Sequence, residues 1–164
     1  MDHELAELSR EVGAALAARG WLLATAESCT GGWIAEVVTA TGGSSAWFDR
    51  GFVTYSNAAK TDMLGVAPAT LERHGAVSLA TVEEMAAGAL ARSNARLAVA
   101  VSGIAGPTGG SADKPVGTVC VAWAEHGRPP HTELCHFRGD REAVRRQTVI
   151  HALRGVIARA AAAA

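Results

Sequence analysis

Leu97-Ala98-Val99-Ala100-Val101-Ser102-Gly103-Ile104-Ala105-Gly106-Pro107-Thr108-Gly109-Gly110-Ser111 is the stretch from which the rest of the chain is read. Its first five residues form an almost continuous small apolar run, the mark of a strand covered on both faces. The remainder is the most glycine-rich segment of the chain. A buried strand therefore empties into a flexible backbone wall able to approach a ligand closely. Ligands in open α/β sheets bind beyond the carboxyl ends of the strands, so the fold class expected here is α/β.

Outward from that stretch, the periodicities predict the order α-β-α-β-α-α-β-β-β-α. Leu5, Leu8, Val12 and Leu16 recur at helical spacing up to Gly20. Trp21 to Ala26 reads as a buried strand, followed by the small-residue turn Glu27-Ser28-Cys29-Thr30-Gly31-Gly32 and a helix carrying Trp33, Ile34, Val37 and Val38. Trp47 to Ser56 reads as a second strand. Asn57 is placed as the cap of a short helix bearing Lys60, and another short helical piece starts at Pro68. A longer helix presents Val82, Met85, Ala86, Ala89 and Leu90 on one face. Val116 to Ala124 and His131 to Phe137 form a hairpin, and Gly139-Asp140 opens the last helix. Early alternation and a late hairpin predict a three-layer α/β/α sandwich with a mixed sheet, built as one domain over residues 1–164 with a fraying tail at Ala160–Ala164.

Composition narrows the function. Apolar residues make up 49% and charged residues 19% of the 164, with a net charge of −1. That describes a folded chain and gives no electrostatic case for nucleic acid or a membrane surface as partner. No apolar run reaches membrane-spanning length and the amino terminus does not read as a signal peptide, so a cytoplasmic protein is expected. Cys29, Cys120 and Cys135 are odd in number and lack metal-knuckle spacing. His131 and His136 would need metal-binding partners that the sequence does not reveal, so no metal site is assigned. Gly103, Gly106 and Gly109 fit neither a Walker loop nor a dinucleotide fingerprint.

The sharper signal lies in Gly42 to Lys60. Of fifteen basic residues only Lys60 and Lys114 are lysines. Arg stays charged, whereas a desolvated Lys becomes a neutral base. The same stretch holds Ser44, Ser45 and the single tyrosine, Tyr55. Serine, tyrosine and lysine are the parts of a Ser–Lys hydrolase, although a Gly/Ser turn followed by a solvated Lys60 reads the residues equally well. Cys29 is a rival nucleophile: a thiol at a helix start, with Glu27 and Lys60, makes a Cys–Glu–Lys amidase set. Ser45 is preferred over it. The Ser28–Gly32 turn, at a helix start, suits an anion such as phosphate, or is simply a capped turn.

Ala26-Glu27-Ser28-Cys29-Thr30-Gly31-Gly32, Gly51-Phe52-Val53-Thr54-Tyr55-Ser56-Asn57 with Lys60, Ser102-Gly103-Ile104-Ala105-Gly106-Pro107 and Lys114-Pro115-Val116-Gly117-Thr118 together resemble the CinA C-terminal domain family. The resemblance extends through Gly139-Asp140-Arg141 and Arg145-Arg146-Gln147. It implies a three-layer α/β/α domain that hydrolyses the carboxamide of nicotinamide mononucleotide to nicotinate mononucleotide and ammonia, without metal or organic cofactor. It further implies Ser45 as nucleophile, Lys60 as general base and Tyr55 as an assisting group. The turn with Ser28, Thr30, Gly31 and Gly32 and the loop with Ser102, Gly103, Ile104, Ala105 and Gly106 would hold the substrate. Arg141 and Arg145 read as helix-surface cations and are left outside the site. The expected partner is a small-molecule nucleotide; self-assembly is compatible with the sequence, and a nucleotide-binding module without turnover is the competing class.

Overall fold

The computed structural model describes residues 1–162. Six α-helices and five strands lie among them, with three helices rather than the two of the expected order between the second and third strands: α1 (His3–Arg19), β1 (Leu23–Glu27), α2 (Trp33–Thr39), β2 (Phe48–Val53), α3 (Asn57–Leu64), α4 (Pro68–His74), α5 (Leu79–Ala91), β3 (Leu97–Gly103), β4 (Thr118–Glu125), β5 (His131–His136) and α6 (Arg141–Ala162). Two local readings change. Ser44–Ala46 forms a 3-10 turn ahead of β2. The cap of α3 is Ser56, whose hydroxyl accepts from the Ala59 amide, and Asn57 is already helical. The tail expected to fray from Ala160 is helical through Ala162, and its last two positions lie outside the described residues.

The sheet order is β2-β1-β3-β4-β5. β1 is parallel to both β2 and β3, while β4 and β5 add antiparallel pairings, so the sheet is mixed. Side-chain size, rather than polarity, alternates along the buried strands. Leu23, Leu97, Val99, Val101, Val119, Val121 and Trp123 join the core beneath α1, α2 and α6. Ala24, Ala26, Ala98, Ala100, Cys120, Ala122 and Ala124 face the other way, toward Val82, Met85, Ala86 and Ala89 of α5. Successive strand residues point to opposite faces, so the Leu-Ala-Val-Ala-Val run builds one thick layer and one thin layer from a single strand.

The thin layer lets helices approach closely. A Cβ added at Gly88 of α5 would stand 1.9 Å from the Leu64 carbonyl oxygen at the end of α3. That contact fixes α3, and with it Lys60, against the rest of the fold. From β1 the chain passes to α2 on one face; from β2 it passes to α3 on the other. The carboxyl ends of β1, β2 and β3 therefore surround one crevice, as the topology predicts.

Gly88→Ala tests this packing. On an unobstructed helix the change gains about 1 kcal/mol of propensity. Here the overlap with backbone reverses the sign, and thermal melting is expected to show a net loss of about 1–3 kcal/mol. A variant more stable than the parent would contradict the α3–α5 contact.

Candidate active site

Glu27, the last residue of β1, is buried and spends its carboxylate on the start of α2. Oε1 accepts from the Thr30 hydroxyl at 2.5 Å, the Gly32 amide at 3.2 Å and the Ile34 amide at 2.9 Å, and Oε2 accepts from the Ala35 amide at 3.0 Å. The free amides and positive dipole end that made this turn look like a phosphate cradle are thus satisfied by the protein's own anion. The turn is held from outside by Arg145, which donates to the carbonyls of Cys29 at 3.0 Å and Thr30 at 3.1 Å and lies over the Trp33 ring.

With the turn clamped at both ends, Ser28 continues the sheet: its amide donates to the Val101 carbonyl. Its hydroxyl meets Lys60, which reaches in from α3 and is only 1% exposed. Lys60 Nζ lies 2.9 Å from Ser28 Oγ, and donates to the carbonyls of Thr54 at 2.8 Å and Tyr55 at 3.3 Å. Among the described residues no carboxylate stands within ion-pair distance of this amine. Burial therefore pulls the Lys60 pKa below the ordinary lysine value.

The expected pairing of Ser45 with Lys60 is not the one the fold makes. Ser45 is exposed on the 3-10 turn at the amino end of β2, while Lys60 enters at the carboxyl end. A strand of that length puts roughly 17 Å between the two ends, and Ser45 does not line the cleft around Lys60. Ser28 occupies the place expected for Ser45. Tyr55 also differs from expectation: its backbone carbonyl, not its phenol, contacts the amine. Its side chain is 63% exposed at the rim, where the hydroxyl accepts from Arg141 at 3.2 Å.

The cleft encloses about 340 Å³ and is lined by Ser28, Lys60, Tyr55, Arg141 and the loop from Ser102 to Gly106. All five loop positions singled out in the sequence, Ser102, Gly103, Ile104, Ala105 and Gly106, thus reach it. Among the described residues the amides of Cys29, Ala105 and Gly106 have no hydrogen-bond acceptor. Thr30, Gly31 and Gly32 instead face an adjoining open groove together with Trp33, Glu36 and Arg145. Arg141 borders both spaces and ties them together by donating to the Gly106 carbonyl at 2.7 Å. Read as surface cations from the sequence, Arg141 and Arg145 turn out to position both glycine-rich loops. Their i, i+4 spacing on α6, directly after Gly139-Asp140, was the available signal.

Cys29 lines the cleft but is buried, and its thiol is pushed up to about 12, chiefly by desolvation and further by the Glu27 carboxylate. A thiol so held is protonated and a poor nucleophile at neutral pH.

Comparison with known proteins places this geometry in context. The CinA C-terminal domain profile matches residues 5–160. The chain is 59% identical over 152 residues to the nicotinamide-nucleotide amidohydrolase PncC of Escherichia coli K12, covering 93% of this chain and 92% of that one. It is 61% identical over 133 residues to the protein of the same name from Pseudomonas putida, covering 81% and 82%. The crystal structure of the competence/damage inducible protein CihA of Agrobacterium tumefaciens superposes with a TM-score of 0.93 at 48% identity, over 96% of both chains.

Glu27→Gln examines the clamp. The amide nitrogen of glutamine cannot accept from either the α2 amides or Thr30, so at least one buried donor loses its partner. Denaturant unfolding should show a loss of about 1–3 kcal/mol. Unchanged stability would mean that the carboxylate is not what organises the Ser28 turn.

Proposed function

The chain belongs to the CinA C-terminal domain family, and from that premise we propose that it hydrolyses the carboxamide of nicotinamide mononucleotide by a Ser–Lys mechanism. The observation that carries the reading is the buried Lys60 amine, 2.9 Å from the Ser28 hydroxyl and without a carboxylate partner. A neutral amine has two N–H donors and one lone pair. Thr54 and Tyr55 carbonyls take the donors, and the lone pair accepts the Ser28 hydroxyl proton.

Ser28 Oγ attacks the carboxamide carbon as its proton passes to Lys60. The negative charge that develops on the carbonyl oxygen is met by the spare amides of Cys29, Ala105 and Gly106, donors that need no reorganisation during the step. The lysine ammonium then protonates the departing nitrogen, ammonia leaves, and an ester of Ser28 remains. Lys60, neutral again, takes a proton from water as the resulting hydroxide attacks the ester carbonyl. The Lys60 ammonium returns that proton to the departing Ser28 oxygen, so nicotinate mononucleotide is released and the free serine and neutral amine are restored. Arg141 and the Tyr55 hydroxyl, at the mouth of the cleft, serve the phosphate and ribose end. No step calls for a metal or organic cofactor.

The names of the relatives support the substrate, and 93% coverage of the Escherichia coli protein supports extending it to the whole chain. Ser28→Ala and Lys60→Met are each expected to lower kcat/KM for ammonia release at least ~10³-fold. Ser45→Ala and Cys29→Ala keep most of it. Because the base works deprotonated and burial lowers its pKa, the rate falls on the acid side as Lys60 gains a proton. A dead Ser45→Ala beside an active Ser28→Ala would restore the alternative nucleophile and overturn this assignment.

A further inference from the structure

A second cluster of chemistry-bearing side chains lies between β5 and α6, and none of its members lines the amidase cleft. On β5 the residues of one face are His131, Glu133 and Cys135, two apart along the strand. Across from them on α6 stands His151. Donor atoms of Glu133, Cys135 and His151 all lie within 4.8 Å of one another. The Glu133 carboxylate is gripped at both ends: His151 Nε2 is 2.8 Å from one oxygen and His131 Nε2 is 2.7 Å from the other.

We propose that Glu133, Cys135 and His151 form a binding site for a borderline-soft divalent cation, zinc by its chemistry, with His131 orienting the carboxylate. Donors around a tetrahedral zinc stand roughly 3.3–3.7 Å apart, given bonds of about 2.0 Å to nitrogen or oxygen and 2.3 Å to sulfur. Side-chain shifts of about 1 Å therefore close the site without moving the backbone. One thiolate, one carboxylate and one neutral imidazole leave no net charge around a dication. This mixture of sulfur, nitrogen and oxygen disfavours magnesium and calcium, which take oxygen.

The rings are held in place beforehand. His131 stacks on Trp123 with centroids 5.6 Å apart, and His151 lies between Trp123 at 5.8 Å and Phe137 at 5.9 Å. His131, bonded to the far carboxylate oxygen, has the geometry of an outer-shell partner. Glu133, Cys135 and His151 are all partly exposed, so a fourth position is open to water. Coordination releases the Cys135 proton to solvent and links the edge strand β5 to α6. From the sequence, His131 and His136 had no visible partners. The hairpin register turns His136 to the opposite face from His131, and α6 supplies the third ligand from fifteen residues farther along the chain.

Cobalt(II) titration of the reduced, metal-free full chain tests the site. One equivalent is expected to produce thiolate-to-cobalt charge transfer with tetrahedral ligand-field bands, and zinc should displace it. Cys135→Ser abolishes the charge-transfer band, whereas Cys120→Ser leaves it. His131→Ala, which keeps all three ligands, weakens binding about 10–100-fold, with folding verified by melting. Absence of a stoichiometric band from folded protein, persistence of the band in Cys135→Ser, or unchanged affinity in His131→Ala would each overturn the proposal.

Discussion

A primary amine kept from water with only neutral oxygens around it is the constraint on which the site depends. Desolvation disfavours the charged form of Lys60, and no carboxylate is present to restore it. The amine is placed there by secondary structure rather than by a loop. Ser56 caps α3, the α3–α5 contact at Gly88 leaves no play, and the carbonyls following β2 receive the amine's protons. A lysine so fixed costs stability in an ordinary core; here it meets the Ser28 hydroxyl, for which it is the proposed base.

The nearby anion is managed by the same logic. Glu27 is one residue from Ser28, and a free carboxylate there would stabilise the ammonium form of Lys60 and oppose its deprotonation. Its oxygens are instead turned toward the start of α2, where three amides and the Thr30 hydroxyl absorb the charge. On the opposite side, Arg145 and Arg141 hold the Ser28 turn and the Gly106 loop through their carbonyls. Charged groups surround the cleft, yet those that shape it are spent on backbone.

Much of this was legible in the sequence. The alternation Leu-Ala-Val-Ala-Val declared a strand buried on both faces, and its glycine-rich sequel marked a wall of the cleft. An isolated lysine in an arginine-rich chain pointed to the amine that the fold buries, Lys60. Which serine meets that amine did not follow, because proximity along the chain misleads in a parallel sheet. Ser45 is fifteen residues from Lys60 but separated from it by the length of β2, whereas Ser28, thirty-two residues away, ends the neighbouring strand at the same edge. Sequence spacing likewise hid the Glu133–Cys135–His151 cluster, which exists only once β5 and α6 pack together. Nor could the helix start at Trp33 reveal that its amides were already occupied, since that required Glu27 to turn inward.

With only two lysines in the chain, the ionisation of Lys60 can be observed directly. Selective ¹³Cε labelling of lysine should give two resonances, one from buried Lys60 and one from Lys114, whose Nζ donates to the His74 carbonyl in an exposed setting. Followed by NMR across pH, the Lys60 resonance is predicted to titrate below the ordinary lysine range. A Lys60 resonance titrating in the ordinary lysine range would contradict the account, because Ser28 would then have no neutral base beside it.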